Sequence, residues 1–422
     1  MNTSTRPPLM RLDDALTQLL AAVSPLSGTE QVATMDADGR VLAEDVVSGL
    51  QVPAHDNSAM DGYALRSADV MQVGMVLPQS QRIAAGGHGH ALQPGTVSRI
   101  FTGAPVPAGA DSVLMQEDCT VLPATDGALE PQVQINALAP VGQHIRRAGE
   151  DVTLGAVVLQ RGQRLGPAHL GMAASVGLAS LSVARRPKVA LFSTGDELVM
   201  PGTRAPQDMP PGAIYNSNRF FLNALLRRLG AEVTDLGIVP DQREATIAAL
   251  RDAAATHDLI LTSGGVSVGE EDHIKPAVQA LGSLDLWQIA IKPGKPFAHG
   301  QIPRGPGQGA AHFMGLPGNP VSSFVTFLLL VRPALLRLQG QTDLAMKTVA
   351  ARADFTWSRA DKRREFLRVR RNAAGGLDLF PNQSSGVLTS TVWGDGLVDN
   401  PSGTTIAPGD TVQFVSFAEV LS

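Results

Sequence analysis

Asp258-Leu259-Ile260-Leu261-Thr262-Ser263-Gly264-Gly265-Val266-Ser267-Val268-Gly269-Glu270-Glu271-Asp272 decides the reading of this chain. A short apolar run passes into serine and glycine and ends on three acids. A buried parallel strand reads this way, followed by a tight loop and a helix start. Glycines let the backbone come close to a ligand, and the bare N–H groups of a helix N-terminus attract anions. Three carboxylates directly after such a loop would repel a phosphate unless a cation sat between them. The stretch therefore reads as a phosphate-type site that also holds a hard metal such as Mg²⁺. The plainer alternative is a strand-to-helix turn whose acids suit the helix dipole. No Gly-Lys-Ser/Thr follows and no GxGxxG is present, so it is neither a Walker loop nor a dinucleotide fingerprint.

Working outward, residues 187–338 alternate strand and helix patterns. Strands are expected at Pro187–Phe192, Glu232–Val239, Asp258–Leu261, Leu286–Ile291 and Phe313–Leu316. Helices are expected at Asn218–Leu229, Arg243–Ala255, Lys275–Leu281 and Val321–Leu338. This is the layout of a doubly wound α/β domain with a mostly parallel sheet. A polar motif follows each strand: Ser193-Thr194-Gly195-Asp196-Glu197, Pro240-Asp241-Gln242, Ser263-Gly264-Gly265, Lys292-Pro293-Gly294-Lys295-Pro296 and Pro317-Gly318-Asn319-Pro320. All five are expected at the carboxyl edge of the sheet, where open α/β sheets bind ligands. Their contents are complementary. Glu197, Asp241 and Asp272 suit a hard cation, and Lys292 and Lys295 an anion. Pro317 and Pro320 stiffen the floor, and Asn319 is placed to cap the last helix.

The flanks read differently. Leu12, Ala15, Leu16, Leu19, Leu20 and Val23 recur at helical spacing, so 11–24 is an amphipathic helix. Asp56, Asn57, Ser58 and Asp61 crowd a polar stretch that is either a ligand-binding turn or an Asx turn before a strand. From 70 to 145 short alternating segments broken by Gly and Pro suggest a small β domain, with Thr102 in a break between two strands. Arg146, Arg147, Glu150 and Asp151 offer either an oxyanion site or an internal salt bridge. Residues 342–422 return to β structure, expected as a small barrel with strands at Thr348–Trp357, Glu365–Arg371, Leu377–Phe380 and Thr411–Phe417. The hydroxyl-rich turn Gln383-Ser384-Ser385-Gly386 is a further candidate to reach a ligand.

The whole chain bounds these readings. Its 422 residues suffice for three or four domains. With 34 Lys+Arg against 39 Asp+Glu, the net charge of -5 argues against a general nucleic-acid binder. The single cysteine, Cys119, excludes an internal disulfide and a cysteine-rich metal site. The longest apolar run, Phe324 to Val331, is too short to span a bilayer, so no membrane segment is expected. A cytoplasmic protein is the expectation.

These motifs together resemble the MoeA family, the molybdopterin molybdenumtransferases, which includes the E domain of gephyrin. The resemblance runs from about Leu12 to about Val415. It rests on Asp56 to Ala64, Phe101 to Pro105, Ser193 to Leu198, Ser263 to Gly269, Ile291 to Pro296 and Gly315 to Ser322. It implies insertion of molybdenum from molybdate into adenylated molybdopterin, with release of finished cofactor and AMP and with Mg²⁺ assistance. It implies four domains, expected at 9–53 with 145–186 (linker and dimerisation), 54–144 (inserted small β domain), 187–340 (α/β, molybdopterin-binding) and 341–422 (β-barrel). It also implies a homodimer with shared active sites, and as further partners the molybdopterin adenylyltransferase and molybdoenzyme acceptors.

Carried onto this sequence, the resemblance makes Asp61, Thr102, Glu197, Asp241 and Asp272 catalytic, with Glu197 and Asp272 on the metal. Ser263, Gly264, Gly265, Ser267, Gly269, Lys292, Lys295, Pro317, Asn319, Pro320, Ser322, Arg146, Arg147, Asp151 and Ser385 then bind substrate. Arg364 and Arg368 compete for one further role, because Lys362 to Phe366 matches the family pattern loosely. Asp241 is followed by Gln242, where many members have a second acid. Residue chemistry agrees: lysines and hydroxyls suit an oxyanion, and soft dithiolene sulfurs of the pterin hold the metal in the product, so no cysteine ligand is needed. Two other readings share the scaffold, a nucleotide or pterin adenylate hydrolase and a non-catalytic pterin-binding scaffold, and fold alone does not separate them.

Overall fold

A computed structural model describes residues 9–123, 131–240, 242–265 and 273–421. The α/β unit is built on a six-stranded sheet. Its order is Glu232–Ile238, Lys188–Ser193, Leu259–Ser263, Ala310–Leu316, Pro296–Pro303 and Ser283–Gln288. The first four strands are parallel. Alternate side chains of the central strands go to opposite faces, and both faces are apolar, as in a sheet covered on both sides. Val189, Leu191, Leu259 and Leu261 face one core, shared with the helices Asn218–Arg228 and Pro320–Leu338. Ala190, Phe192 and Ile260 face the other, shared with Arg243–Thr256 and Ile274–Leu281.

Three features depart from the sequence reading. The sheet is mixed, because Pro296–Pro303 is antiparallel to both of its neighbours. That strand was not expected: prolines stand at both its ends, and His299 and Gln301 break its apolar run. Its neighbour Ser283–Gln288 runs with the four parallel strands, since two antiparallel steps restore the direction. The Lys292–Lys295 loop therefore still follows a carboxyl end. Ile291, read as the end of a strand of this sheet, and Lys292, read as the start of the following loop, instead pair in parallel with Arg364–Arg371 of the C-terminal unit.

Secondly, the helix Leu12–Ala22 has its apolar stripe covered within the chain. Leu12, Ala15 and Leu19, with Val23 beyond it, are buried in the core of the α/β unit, far along the chain from the helix itself. Thirdly, the apolar helix, present from Pro320 to Leu338 as expected, departs from the reading only at its start. A π turn at Phe327–Val331 precedes Pro333, and such a wider turn leaves the ring room in the helix. Among the described residues it is the one helix long and apolar enough to cross a membrane, yet 89% of its apolar window is buried inside the protein. It is a core helix. Asn319 makes no side-chain cap to it. The Val321 N–H instead donates to the Ser385 carbonyl of the C-terminal unit at 2.9 Å.

At the amino edge of the sheet, buried Asp258 accepts hydrogen bonds from Arg185 (2.7 and 2.9 Å), Arg304 (2.7 Å) and the Lys188 N–H (2.9 Å). Residues before and after the small β domain fold together. Thr29–Ala33 pairs with Ser180–Ala184, and Val46–Val47 with Val157–Leu159. The small domain leaves and returns through the antiparallel pair Asn57–Ser58 and Ile145–Arg146. Its own sheet has six strands. In the C-terminal unit the strands run Arg364–Arg371, Gly396–Asn400, Thr411–Ser416, Val349–Arg352, and Leu377–Leu379 adds to the first. The sheet curls until the Asp354 N–H meets the Leu377 carbonyl at 3.0 Å. Gly396–Asn400 is central and fully buried, a strand the sequence reading did not include; Arg364 holds its Asp399, and Asn400 donates to the nearby Thr404 carbonyl.

Candidate active site

At the carboxyl edge lies a cleft of about 1030 Å³, walled by the strand-end loops, the start of helix Asn218–Arg228 and the 383–386 turn of the C-terminal unit. Ser263, Gly264 and Gly265 form one wall. Both glycines hold positive φ, 95° and 66°, which lets the chain leave its buried strand and turn at once. A β-carbon on Gly265 would lie 2.6 Å from the Ile274 side chain. Glu197, Lys292, Lys295, Pro317, Asn319, Pro320, Ser322 and Ser385 line the same cleft. Thus the structure brings together the expected residues from four strand ends and from the C-terminal turn. Asp241, Ser267, Gly269 and Asp272 lie outside the described residues.

The charges in the cleft are not equivalent. Lys292 Nζ is held by buried Glu365 at 3.0 Å and by Asp361 at 3.4 Å, and stands over the Trp357 ring. Glu365 also accepts from Trp357 Nε1 at 2.8 Å. Lys292 therefore ties its loop to the C-terminal unit. Lys295 and Glu197 have no side-chain hydrogen bond or ion pair among the described residues, so one cation and one anion remain uncommitted. The Glu197 carboxylate lies where a side chain on Gly195 would stand, so that glycine is what makes its place. Among the described residues no three His, Cys, Asp or Glu cluster as a metal site.

Sequence reasoning missed the wall at Tyr215, Asn216, Ser217 and Asn218. Buried Asn218 donates through Nδ2 to Ser263 Oγ and to the Gly318 carbonyl, both at 2.7 Å, and so joins the third and fifth strand-end loops. A lone asparagine at a helix start gives no signal of such a role.

The arginine assignment is corrected. Neither Arg364 nor Arg368 lines the cleft; Arg363 does. Arg364 is taken by Asp399 and by Asp13 of the N-terminal helix. Arg368 is 1% exposed and donates to the Phe366 and Ser384 carbonyls and to Ser390 Oγ. Burial without an acid partner pushes its guanidinium down to about 10. Strand alternation puts Arg364 and Arg368 on positions of one face, which the sequence could not orient.

Asp61, Thr102, Arg146, Arg147 and Asp151 are not among the residues that line this chain's cleft. Thr102 donates from both N–H and Oγ1 to Asp61 Oδ1, at 2.8 and 2.7 Å. The backbone bond first, and the hydroxyl bond second, hold the Asp61 carboxyl below its usual range. Arg147 pairs with Asp56 at 2.6 Å, an acid from outside the 146–151 stretch rather than Glu150 or Asp151. Arg146 and Asp151 are exposed.

Three family models match in chain order. The MoeA N-terminal region (domains I and II) covers residues 10–177, a probable molybdopterin binding domain 190–337, and the MoeA C-terminal region (domain IV) 350–417. A Haemophilus influenzae protein named molybdopterin molybdenumtransferase is 42% identical over 334 residues, 79% of this chain and 78% of that protein. Molybdopterin molybdenumtransferase 2 of Mycobacterium tuberculosis is 40% identical over 340 residues, 77% and 78% of the two chains. Among solved structures, the molybdopterin biosynthesis moeA protein of Pyrococcus horikoshii superposes with a TM-score of 0.82 at 27% identity, covering 97% of this chain and 100% of that one.

Proposed function

This chain belongs to the MoeA family, and from that premise we propose that it inserts molybdenum from molybdate into adenylated molybdopterin, releasing finished cofactor and AMP with Mg²⁺ assistance. It is an enzyme of molybdenum cofactor biosynthesis, a molybdopterin molybdenumtransferase as its curated relatives are named. The observation that carries the finer reading is the uncommitted pair in one cleft, the Lys295 ammonium and the Glu197 carboxylate. A site for a bare nucleotide would have little use for an unpaired acid, whereas a site handling phosphates through a cation has both signs.

In this reading the Gly264–Gly265 loop and the adjoining helix starts bind the adenylate phosphates. Lys295, Ser322 and Ser385 bind molybdate, with Lys292 nearby but already held by acids. Asn218 keeps the phosphate loop and the Pro317–Pro320 floor in register. Mg²⁺ fits Glu197 as one hard oxygen ligand, since Mg²⁺ usually takes one or two carboxylates and completes its shell with water and phosphate oxygens. When bound, it would neutralise charge on the departing phosphate. Asp241 and Asp272 are the other candidate ligands.

Asp61, Thr102, Arg146, Arg147 and Asp151 act on the cleft of a second subunit in a homodimer. What supports this is that they do not line their own chain's cleft, while Thr102 holds Asp61 as an ionised carboxylate.

AMP release from adenylated molybdopterin, measured with and without molybdate, tests the proposal. Release that depends on molybdate is expected, and Lys295→Gln should raise the molybdate needed while leaving adenylate binding nearly intact. Release independent of molybdate would make the protein an adenylate hydrolase, and no turnover would favour a binding scaffold.

A further inference from the structure

In the small β domain, Asp61 and Thr102 stand at two strand ends that one arginine ties together. Asp61 leads into the strand Gly62–Leu65, and Thr102 follows the strand Val97–Ile100. The two strands pair antiparallel, with Gly62 opposite Ile100 and Tyr63 opposite Arg99. That register sets the Asp61 carboxylate beside Thr102. Gly62 has to be glycine, because a β-carbon there would run into the Leu114 carbonyl of the strand on its other side. Asp61 and Thr102 are themselves exposed, so packing of their own side chains does not fix them.

Arg99 supplies the hold. Its Nη1 donates to the Gly62 carbonyl at 2.8 Å, directly after Asp61, and its Nη2 to Gln116 Oε1 at 2.7 Å. The Gln116 N–H in turn donates to the Asp61 carbonyl at 3.0 Å. The guanidinium carbon stands over the Phe101 ring, 4.5 Å from its centroid, and over the Tyr63 ring at 5.2 Å. Arg82, beside Arg99 on the parallel strand Val76–Ile83, stands over Phe101 at 4.5 Å as well. Two arginines thus hold the ring that directly precedes Thr102. A planar fork donates along its edges while its faces meet aromatic rings, a combination that a lysine does not reproduce. Arg99 forms no ion pair among the described residues. After the Thr102 N–H and hydroxyl, its charge also favours the ionised form of Asp61.

We infer that Arg99 is the positioning residue of the Asp61–Thr102 pair, acting on the reaction through Asp61 and touching no substrate itself. This role rests on the reading above, in which Asp61 serves the cleft of a second subunit.

AMP release and amide hydrogen exchange on full-length Arg99→Met test it. Methionine keeps an apolar stem against the rings and removes every donor. The kcat should fall by roughly tenfold or more while KM for adenylated molybdopterin stays within about threefold, because a reacting group that drifts loses geometry while the main cleft still binds. Exchange at the Thr102 and Gln116 N–H groups, both of which donate to Asp61, should speed by roughly tenfold, with the strand Gln132–Ile135 of the same domain unchanged. Arg99→Lys keeps the charge and a donor and should recover part of both losses. It carries the test if the methionine variant fails to fold, since its kcat and its Thr102 exchange should still depart several-fold from wild type. Normal turnover in Arg99→Met overturns the role, and so does lost turnover with exchange unchanged at both amides. Exchange that rises alike across the whole sheet of the domain would make Arg99 a residue of the fold alone and overturn it too. Asp61→Asn turning over like wild type would sink the reading of Asp61 and this role together, whereas an inactive Asp61→Asn beside a normal Arg99→Met sinks this role alone.

Discussion

Asn218→Ala removes one side chain that holds two loops at once. The amide Nδ2 reaches Ser263 Oγ and the Gly318 carbonyl at 2.7 Å each, from a residue that is 8% exposed. Each bond contributes about 1 kcal/mol net, and leaving buried acceptors short of a donor adds to the loss, so the two loops together should lose about 2–4 kcal/mol. A chain of several units does not unfold in one step, so a global midpoint is the wrong measure. Amide hydrogen exchange reads the loss where it falls. The Gly264 N–H donates to Leu316, and the Val321 N–H to Ser385, on either side of the asparagine. Their exchange should speed by about 30- to 1000-fold, the Boltzmann factor for that energy, while the strand Val97–Ile100 of the small β domain stays unchanged. Asn218→Asp has the same size and no donor; the Ser263 hydroxyl can turn to donate to it, but its charge faces the Gly318 carbonyl, so the Gly318 contact should be lost as in alanine. AMP release should fall by more than about tenfold, since loops that drift by even an ångström misplace the reacting groups. Exchange at Gly264 and Val321 within threefold of wild type would refute the assignment of Asn218 as the tie between the loops.

Mixing inactive Asp61→Asn with inactive Glu197→Gln subunits should restore activity to about a quarter of wild type, because a shared-site heterodimer has one intact site of two and random exchange makes half the dimers mixed. Mixed dimers that form by mass measurement and stay inactive would mean each site is built within one chain. Acid should also weaken the α/β unit through Asp258. Burial opposes its charge, but Arg185, the Lys188 N–H and Arg304 outweigh that and carry its carboxyl from an ordinary 3.8 down to about 2. A carboxylate lowered on folding adds stability above its unfolded value, here about 2 kcal/mol, and that contribution is lost as pH falls from about 4 to about 2. Asp258→Asn should be less stable at neutral pH and flatter across that acid range; an unaltered slope in denaturant titrations would remove Asp258 from the account.

Much of the α/β architecture was legible because its signals are local. Leu259-Ile260-Leu261 is apolar on both faces, so it had to be a covered strand, and the glycines that follow had to turn. The same logic set the helices, whose apolar faces recur at helical spacing. What escaped was set by distant partners. Pro296–Pro303 becomes a strand only because Ser283–Gln288 and Ala310–Leu316 lie on either side of it. Gly396–Asn400, with its acid and amide, becomes a buried strand only between Arg364–Arg371 and Thr411–Ser416, where Arg364 takes Asp399. The helix Leu12–Ala22 advertised a face to be covered, but nothing local says that Leu335 and its neighbours, three hundred residues on, belong to the core that covers it.

The cleft divides along the same line. Residue types at strand ends announced an anion and a cation site, yet type alone made Lys292 and Lys295 equal. Their difference comes from Glu365 and Asp361, whose positions depend on the parallel pairing of Ile291–Lys292 with the C-terminal strand. That pairing makes one lysine a structural tie, while the other has no side-chain partner among the described residues. It also decides among the arginines. With Ile291 opposite Arg364 and Lys292 opposite Glu365, Arg363 falls just outside the strand at the cleft, while Arg364 and Arg368 are fixed inside it against Asp399 and the interior. A shift of one residue in this register would exchange the faces of the whole strand. The charge pattern of the cleft is therefore a property of how the C-terminal unit docks, and a substitution that disturbs the docking, such as Glu365→Ala, should act on the cleft through Lys292.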